Sequence, residues 1–194
     1  MIRKIIYGVY AILGMMTMAA CSGQSDASEI SLEKMHGFPT ENTGFLKGVS
    51  ALYAGVIEGN LLIAGGCNFP DIPVVDGGKK AYYQDIYIAP LSNDTAFEWK
   101  KIGQLPQAAA YGVTISTEKG LICVGGTTAT HSLSDVFLLS LQKDTLKRDT
   151  LPSLPVTMDN MAGALVGHSL YIVGGNVNGI PSSAMYMLDL LDLS

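Results

Sequence analysis

The sequence LLIAGG at residues 61–66 returns as LICVGG at 121–126 and as LYIVGG at 170–175. Each copy follows another apolar run and a turn that contains glycine, at residues 56–60, 113–120 and 164–169. Apolar runs of strand length joined by such a turn are typical of β-hairpins, because glycine readily adopts the positive φ that tight turns need. A third apolar run follows each double glycine, at residues 85–88, 135–138 and 184–187. The chain is therefore predicted to be all-β and built from repeated units.

A fourth element closes the first two units. Residues 99–106 and 148–155 both end in Leu-Pro, and their prolines lie 49 positions apart, as do Gly126 and Gly175. The first interval, from Gly66 to Gly126, is 60 because the segment after the first double glycine is longer. Four strands repeating about every 50 residues, with a double glycine ending the second, indicate the blades of a kelch-type β-propeller. Coincidental hairpins in another all-β fold are the alternative.

Both ends of the repeat series predict an incomplete propeller. Residues 30–39 resemble a lone outer strand, because Phe38-Pro39 matches the Leu-Pro endings. Blades are expected at about 48–106, 109–155 and 160–194, the last stopping after its third strand. Propellers typically have four to eight blades, and unclosed blades expose flat apolar faces and strand edges. We therefore expect the N-terminal half of a longer propeller, with the missing blades as its partner.

The N-terminus resembles an export signal. A basic head at residues 1–4 precedes an uncharged stretch, residues 5–20, that is too short to span a bilayer. It ends in Met18-Ala19-Ala20-Cys21, which resembles the lipobox of bacterial lipoproteins. We expect a lipoprotein signal peptide at 1–20, lipidation of Cys21, and a flexible tether at 21–29. The protein would face the periplasm or cell surface, held to the membrane only by its lipid anchor. A plain secretory signal is the alternative.

Composition excludes several classes of protein. With 48% apolar and 15% charged residues, the chain does not have the composition of a disordered protein. The net charge of −5 and the scarcity of arginine provide no basic surface for nucleic acid. Cys67 and Cys123 follow no metal or redox spacing and are expected to be free, buried thiols, with a disulfide as the alternative. Gly77-Gly78-Lys79-Lys80 does not have the spacing of a phosphate-binding loop. We expect neither a metal site nor a cofactor.

Four stretches are similar to one enzyme family. These are GVSALYAG at residues 48–55, GGCNFPD at 65–71, GQLPQ at 103–107 and AYGV at 110–113. They resemble the N-acetylneuraminate epimerase (sialic acid mutarotase) family, especially its cyclically permuted branch, over about residues 30–194. The resemblance implies a six-bladed propeller that interconverts the α and β anomers of sialic acid by acid–base ring opening and closure. It implies no metal and no cofactor.

The sequence departs from that family at the catalytic pair. Family members place a catalytic glutamate, with an arginine nearby, after a double glycine of a later blade. None of the six glutamates here follows a double glycine, and Arg148 is the one arginine beyond the signal region. We therefore expect the catalytic residues beyond Ser194 and an inactive chain as it stands. Whether the chain belongs to an isomerase stays open, and a non-catalytic surface module that binds a glycan or protein is the alternative.

The loops between strands two and three, and those between blades, are expected to line one mouth of a propeller. Asn68 is the leading sugar ligand, because its amide both donates and accepts hydrogen bonds, although it could instead cap its turn. Phe69 could stack on a sugar or pack under its own loop, and His131 could shuttle protons or be an ordinary exposed residue. The further substrate-binding candidates are Tyr111, Asn160 and Asn176, with Lys47, Gln107 and Asp159 nearby.

Overall fold

The computed structural model describes residues 32–91 and 96–191, almost all in a compact unit that begins at Glu33. The predicted signal peptide at 1–20, Cys21 and the tether at 21–29 lie outside the described residues. The described residues contain one α-helix, α1 (Thr43–Leu46), and one 3₁₀ turn (Val74–Asp76), and their other regular elements are strands. No helix in these ranges is long and apolar enough to cross a membrane. The predicted all-β class is confirmed.

The first sheet is an antiparallel meander with an insertion. Its strands pair in the order β1-β2-β5-β6, and a separate two-stranded ribbon, β3-β4, lies between β2 and β5 in the chain. This ribbon and its 3₁₀ turn account for the longer first repeat. The strands are β1 (Tyr53–Ile57), β2 (Asn60–Ala64), β3 (Cys67–Asn68), β4 (Ala81–Tyr82), β5 (Asp85–Pro90) and β6 (Lys100–Gln104).

Two further sheets repeat the meander. The second pairs in the order β7-β8-β9-β10, and the third in the order β12-β13-β16. We call the three meanders blades 1, 2 and 3; a small sheet, β11-β14-β15, adjoins blade 3 in the sequence. The strands are β7 (Val113–Thr117), β8 (Gly120–Val124), β9 (Val136–Gln142), β10 (Thr145–Leu151), β11 (Met158–Asp159), β12 (Ala162–Val166), β13 (Ser169–Val173), β14 (Asn176–Val177), β15 (Ile180–Pro181) and β16 (Met185–Asp189).

Consecutive blades pack face to face, as in a propeller. All five residues of β8 are buried because its two faces contact different neighbours. Leu121 and Cys123 pack with Tyr53 and Leu62 of blade 1. Ile122 and Val124, on the other face, pack with a cluster from blade 3 that includes Leu170 and Ile172. The kelch-type arrangement of blades is confirmed.

A short N-terminal segment covers the remaining face of blade 1. Asn42 caps α1 by accepting hydrogen bonds from the backbone N–H groups of Gly44 and Phe45. The Phe45 ring is buried against Tyr83 and Tyr87. Residues 32–39 are the described part of the expected outer strand at 30–39, and they pair with the chain before β6 through one parallel bridge, His36–Ala96.

The double glycines close strand two of each blade in a conformation that suits glycine. All six residues have positive φ, between 54° and 110°. The first glycine N–H donates to the residue that precedes or begins strand three, as in Gly125 to the Asp135 carbonyl at 2.8 Å. In blades 1 and 2 the second glycine donates to the connection that follows the blade, as in Gly126 to the Met158 carbonyl at 2.8 Å. Each pair thus fastens its own blade and, in blades 1 and 2, the connection to the next. Cys67 and Cys123 are both buried, as predicted, and both are free.

Asp85 holds the third and fourth strands of blade 1 together. Its carboxylate is buried and accepts hydrogen bonds from Lys101 at 2.8 Å and Gln104 at 2.9 Å. Burial by itself raises the pKa of Asp85, but hydrogen bonds from Lys101 and Gln104 outweigh it and leave the pKa below its ordinary value of 3.8. The ionised form is therefore favoured by folding.

We expect Asp85→Asn to destabilise the protein at neutral pH by roughly 1–3 kcal/mol, because the buried charge-assisted hydrogen bonds are lost. A carboxylate with a lower pKa in the folded than in the unfolded state stabilises the fold at pH values above its unfolded pKa. This stabilisation is lost as the pH falls through the folded pKa. The gap in Tm between wild type and Asp85→Asn should therefore shrink below about pH 4. Thermal unfolding from pH 7 to 2.5 measures it. Asp149→Asn, at the exposed Lys147–Asp149 pair, is the control. A gap that stays constant into acid would contradict the assignment.

Candidate functional site

Three residues in matching positions lie at one end of the blades. We call this end of the blades the mouth. Ala51, Tyr111 and Asn160 each lie two residues before the first strand of a blade, and all have positive φ, of 55°, 63° and 56°. The Tyr111 N–H donates to the Ala51 carbonyl at 2.8 Å, and the Asn160 N–H to the Tyr111 carbonyl at 2.9 Å. A left-handed conformation is unfavourable for a bulky residue such as tyrosine, and such strain concentrates at functional sites.

The β3-β4 ribbon is fixed at the mouth by Asn68. Its amide nitrogen donates to the carbonyls of Gly44 and Gly48, both at 2.7 Å, and its oxygen accepts from the Tyr83 hydroxyl at 2.8 Å. Both amide protons are therefore committed within the protein. The geometry favours the structural alternative for Asn68, with the difference that it caps the segment around α1 rather than its own turn.

Lys80 brings together two of the predicted site residues, Phe69 and Tyr111. Its ammonium nitrogen donates to the Tyr111 hydroxyl at 3.0 Å. The same nitrogen lies 4.9 Å from the centre of the Tyr111 ring and 5.6 Å from that of Phe69, within cation–π range. The hydrogen bond to Tyr111 raises the pKa of Lys80, against a smaller opposing effect of burial. We call Lys80, Phe69 and Tyr111 the mouth cluster.

Lys80 is not among the site residues that the sequence predicts. Its GGKK segment does not have the spacing of a phosphate-binding loop. The available signal was a pair of lysines at the end of the long loop of blade 1, but the sequence could not show which lysine meets Tyr111.

A second group at the mouth surrounds Asp159, which is 5% exposed. Its carboxylate accepts hydrogen bonds from Ser132 at 2.5 Å, Asn160 at 2.6 Å and Asn176 at 2.8 Å. Two predicted candidates, Asn160 and Asn176, are thus oriented by one carboxylate that joins the connection before blade 3 to the loops of blades 2 and 3. Hydrogen bonds to both oxygens satisfy this buried group.

Members of both groups affect the pKa of Tyr82 on β4. Burial raises the pKa of Tyr82, Lys80 opposes that rise, and Tyr111 and Asp159 add to it. His131 is placed differently: it is exposed, and its Nδ1 lies 3.2 Å and 3.0 Å from the hydroxyls of Thr128 and Thr130 in its own loop. The structure therefore gathers Phe69, Tyr111, Asn160 and Asn176 around Lys80 and Asp159, while the side-chain hydrogen bonds of His131 stay within its loop.

This arrangement suits a polar ligand with an apolar face. An ammonium attracts anions, ring faces pack against C–H groups, and amides exchange hydrogen bonds with hydroxyls. Among the residues that the structure describes, no group of three or more His, Cys, Asp or Glu side chains could hold a metal ion.

The blades and their polar mouth define a kelch-type β-propeller protein with a candidate small-molecule site. A family model described as N-acetylneuraminate epimerase matches residues 11–147, and the chain belongs to that family.

Two relatives of known sequence have the same family name. N-acetylneuraminate epimerase 1 of Escherichia coli O6:H1 is 31% identical over 149 residues, which cover 72% of this chain and 39% of the relative. N-acetylneuraminate epimerase of Vibrio vulnificus is 32% identical over 108 residues, or 50% of this chain and 27% of the relative. A solved structure described as "Structure of YjhT" is 28% identical, with a TM-score of 0.44, over 53% of this chain and 31% of that one. The chain thus spans well under half the length of these relatives.

Proposed function

We propose that this chain forms part of an enzyme that interconverts the α and β anomers of N-acetylneuraminic acid. The observation that carries the proposal is the meeting, at one mouth, of an ammonium, two aromatic rings and an amide–carboxylate network from three successive blades. These groups match an acidic, hydroxylated sugar. Membership of the epimerase family supports the choice of sugar.

The chemistry needs a base and an acid on opposite sides of one bond. The base takes the proton of the anomeric hydroxyl, the bond between the anomeric carbon and the ring oxygen breaks, and the acid protonates that oxygen. The open ketone rotates about its chain, and the reverse proton transfers close the ring on the other face. Because the match covers 39% of the Escherichia coli relative, we assign the acid and base to parts of the enzyme that these 194 residues do not contain. Asn160 and Asn176, oriented by Asp159, are assigned to hold sugar hydroxyls.

Anomer exchange tests this function directly. A sialidase releases the α anomer of N-acetylneuraminic acid, and proton NMR follows its conversion to the β anomer. We expect the product of the complete reading frame to accelerate conversion at micromolar concentration, and the 194-residue chain alone to leave the spontaneous rate unchanged. Sugar binding by the complete product without any acceleration would instead favour a non-catalytic glycan-binding module. An active 194-residue chain would contradict the assignment of the acid and base.

A further inference from the structure

Three lysines in the described part of the chain form ion pairs, and the contacts of Lys80 differ from theirs. Lys47, Lys101 and Lys147 each lie within 4.0 Å of a carboxylate, on Asp71, Asp85 and Asp149. In the described part of the chain, the contacts of the Lys80 ammonium are instead the Tyr111 hydroxyl and the faces of two aromatic rings. An ammonium has three donors, and Tyr111 takes one of them. Two donors remain for an anion, at the mouth of a protein whose net charge is −5.

The partner that positions Lys80 is itself held rigidly. The Tyr111 backbone donates to Ala51 and accepts from Asn160, so residues from three blade connections fix its left-handed conformation. The aromatic ring therefore projects from a backbone that neighbouring blades determine. Ala51 and Asn160 have the same conformation at the equivalent positions, and at this one the tyrosine ring lies 4.9 Å from the Lys80 ammonium nitrogen.

We propose that Lys80, held by Tyr111 and Phe69, receives the carboxylate of the sugar and makes the site selective for acidic over neutral sugars. The inference rests on the proposed function, because it names the group that recognises the anionic end of that substrate. Tyr111 and Phe69 act as positioning residues that keep the ammonium at the mouth. The amides around Asp159 would then contact the hydroxylated part of the same molecule.

The test compares N-acetylneuraminic acid with its methyl ester, which has no negative charge at that carbon. Saturation-transfer and titration NMR measure binding of both sugars to the chain with ¹³C-labelled lysine. Wild type should bind the acid at least about tenfold more tightly than the ester. Lys80→Met should reduce this preference to about one by weakening only the acid, while Lys80→Arg should retain much of it. Lys79→Met, at the adjacent exposed lysine, should leave the preference unchanged.

A second variant separates the role of Tyr111 from folding. Tyr111→Gly removes the ring and relieves the positive φ, so it should unfold no more easily than wild type. It should nevertheless lose most of the preference for the acid, because Lys80 is no longer held. A purely structural role for Tyr111 would leave the preference intact.

Each outcome bears on either the inference or the proposed function. Equal binding of acid and ester by wild type, or acid binding that Lys80→Met leaves unaltered, would overturn the carboxylate assignment while sialic acid binding stands. If neither sugar binds, pyruvate serves as a bare carboxylate probe. A saturable shift of the Lys80 side-chain signal by pyruvate would then support the anion site and reject the sugar. No shift with any carboxylate would overturn the inference.

Discussion

Replacing Gly126 with alanine should destabilise the protein by about 3 kcal/mol or more, enough to unfold a marginally stable domain. Gly126 has a φ of 110°, which is strained for any residue with a side chain. An added Cβ would also fall on the Tyr53 hydroxyl and against the Ala110 carbonyl and Gly112 nitrogen. Two of these atoms are backbone, so they cannot move aside cheaply. Chemical denaturation of wild type and variant measures the loss.

A glycine in open space supplies the matched control. Gly59 has a φ of 73°, and nothing lies within 4 Å of an added Cβ. Gly59→Ala therefore introduces backbone strain without a collision and should cost about 1 kcal/mol. The extra loss of stability in Gly126→Ala, relative to Gly59→Ala, therefore measures how closely the two blades approach each other. Adding Tyr53→Phe, which removes the hydroxyl that donates to the Gly125 carbonyl at 2.5 Å, should recover part of that excess. Equal losses at Gly59 and Gly126 would show that the blades do not pack this closely.

The second large effect is a contrast between two valines at one position of the repeat. Val124 precedes the double glycine of blade 2 and is 1% exposed, whereas Val173 precedes that of blade 3 and is 44% exposed. Val124→Asp places a charge between blades 2 and 3 and should cost several kcal/mol, sufficient to prevent folding. Val173→Asp leaves its carboxylate in water and should change Tm little, while raising solubility. Thermal unfolding and sedimentation of both variants measure these outcomes.

The cross-strand partners of these valines extend the comparison to strand three. Val136 is 1% exposed and Met185, its counterpart in strand three of the next blade, is 66% exposed. Val136→Ser should destabilise the protein by about 2–3 kcal/mol, because apolar burial is lost. Met185→Ser should destabilise it by well under about 1 kcal/mol. If the variants at Val173 and Val124, or those at Met185 and Val136, lost similar stability, the outer face of blade 3 would be covered in solution. That result would contradict the prediction.

The strands of the fold were predictable because their signals are local. Apolar alternation, a glycine turn and a double glycine lie within about 20 residues of each other, so the hairpins and their order follow from sequence. The β3-β4 ribbon was not predicted as strands. It has two residues on each side, too few for any periodicity to register.

The candidate site was predictable in part. Repeat positions indicated the loops at the mouth, and Phe69, Tyr111, Asn160 and Asn176 do lie there. Lys80 donates to a tyrosine 31 residues away, and Asp159 accepts from a serine 27 residues away. Contacts at such separation depend on how blades stack, which propensity and spacing do not encode. The amide of Asn68 likewise donates to carbonyls 24 and 20 residues upstream, in and just after α1.

The antiparallel hairpins and the paired glycines that close them are predictable from the sequence, because backbone conformation and side-chain alternation are properties of neighbouring residues. The burial of equivalent positions and the contacts between polar groups follow instead from how the blades pack. Val124 and Val173 hold the same position in the repeat. Blade 3 packs against Val124 of blade 2, whereas Val173, in blade 3 itself, is exposed. Burial and electrostatics depend on what lies across a gap of a few ångströms, and that neighbour usually comes from a distant part of the chain.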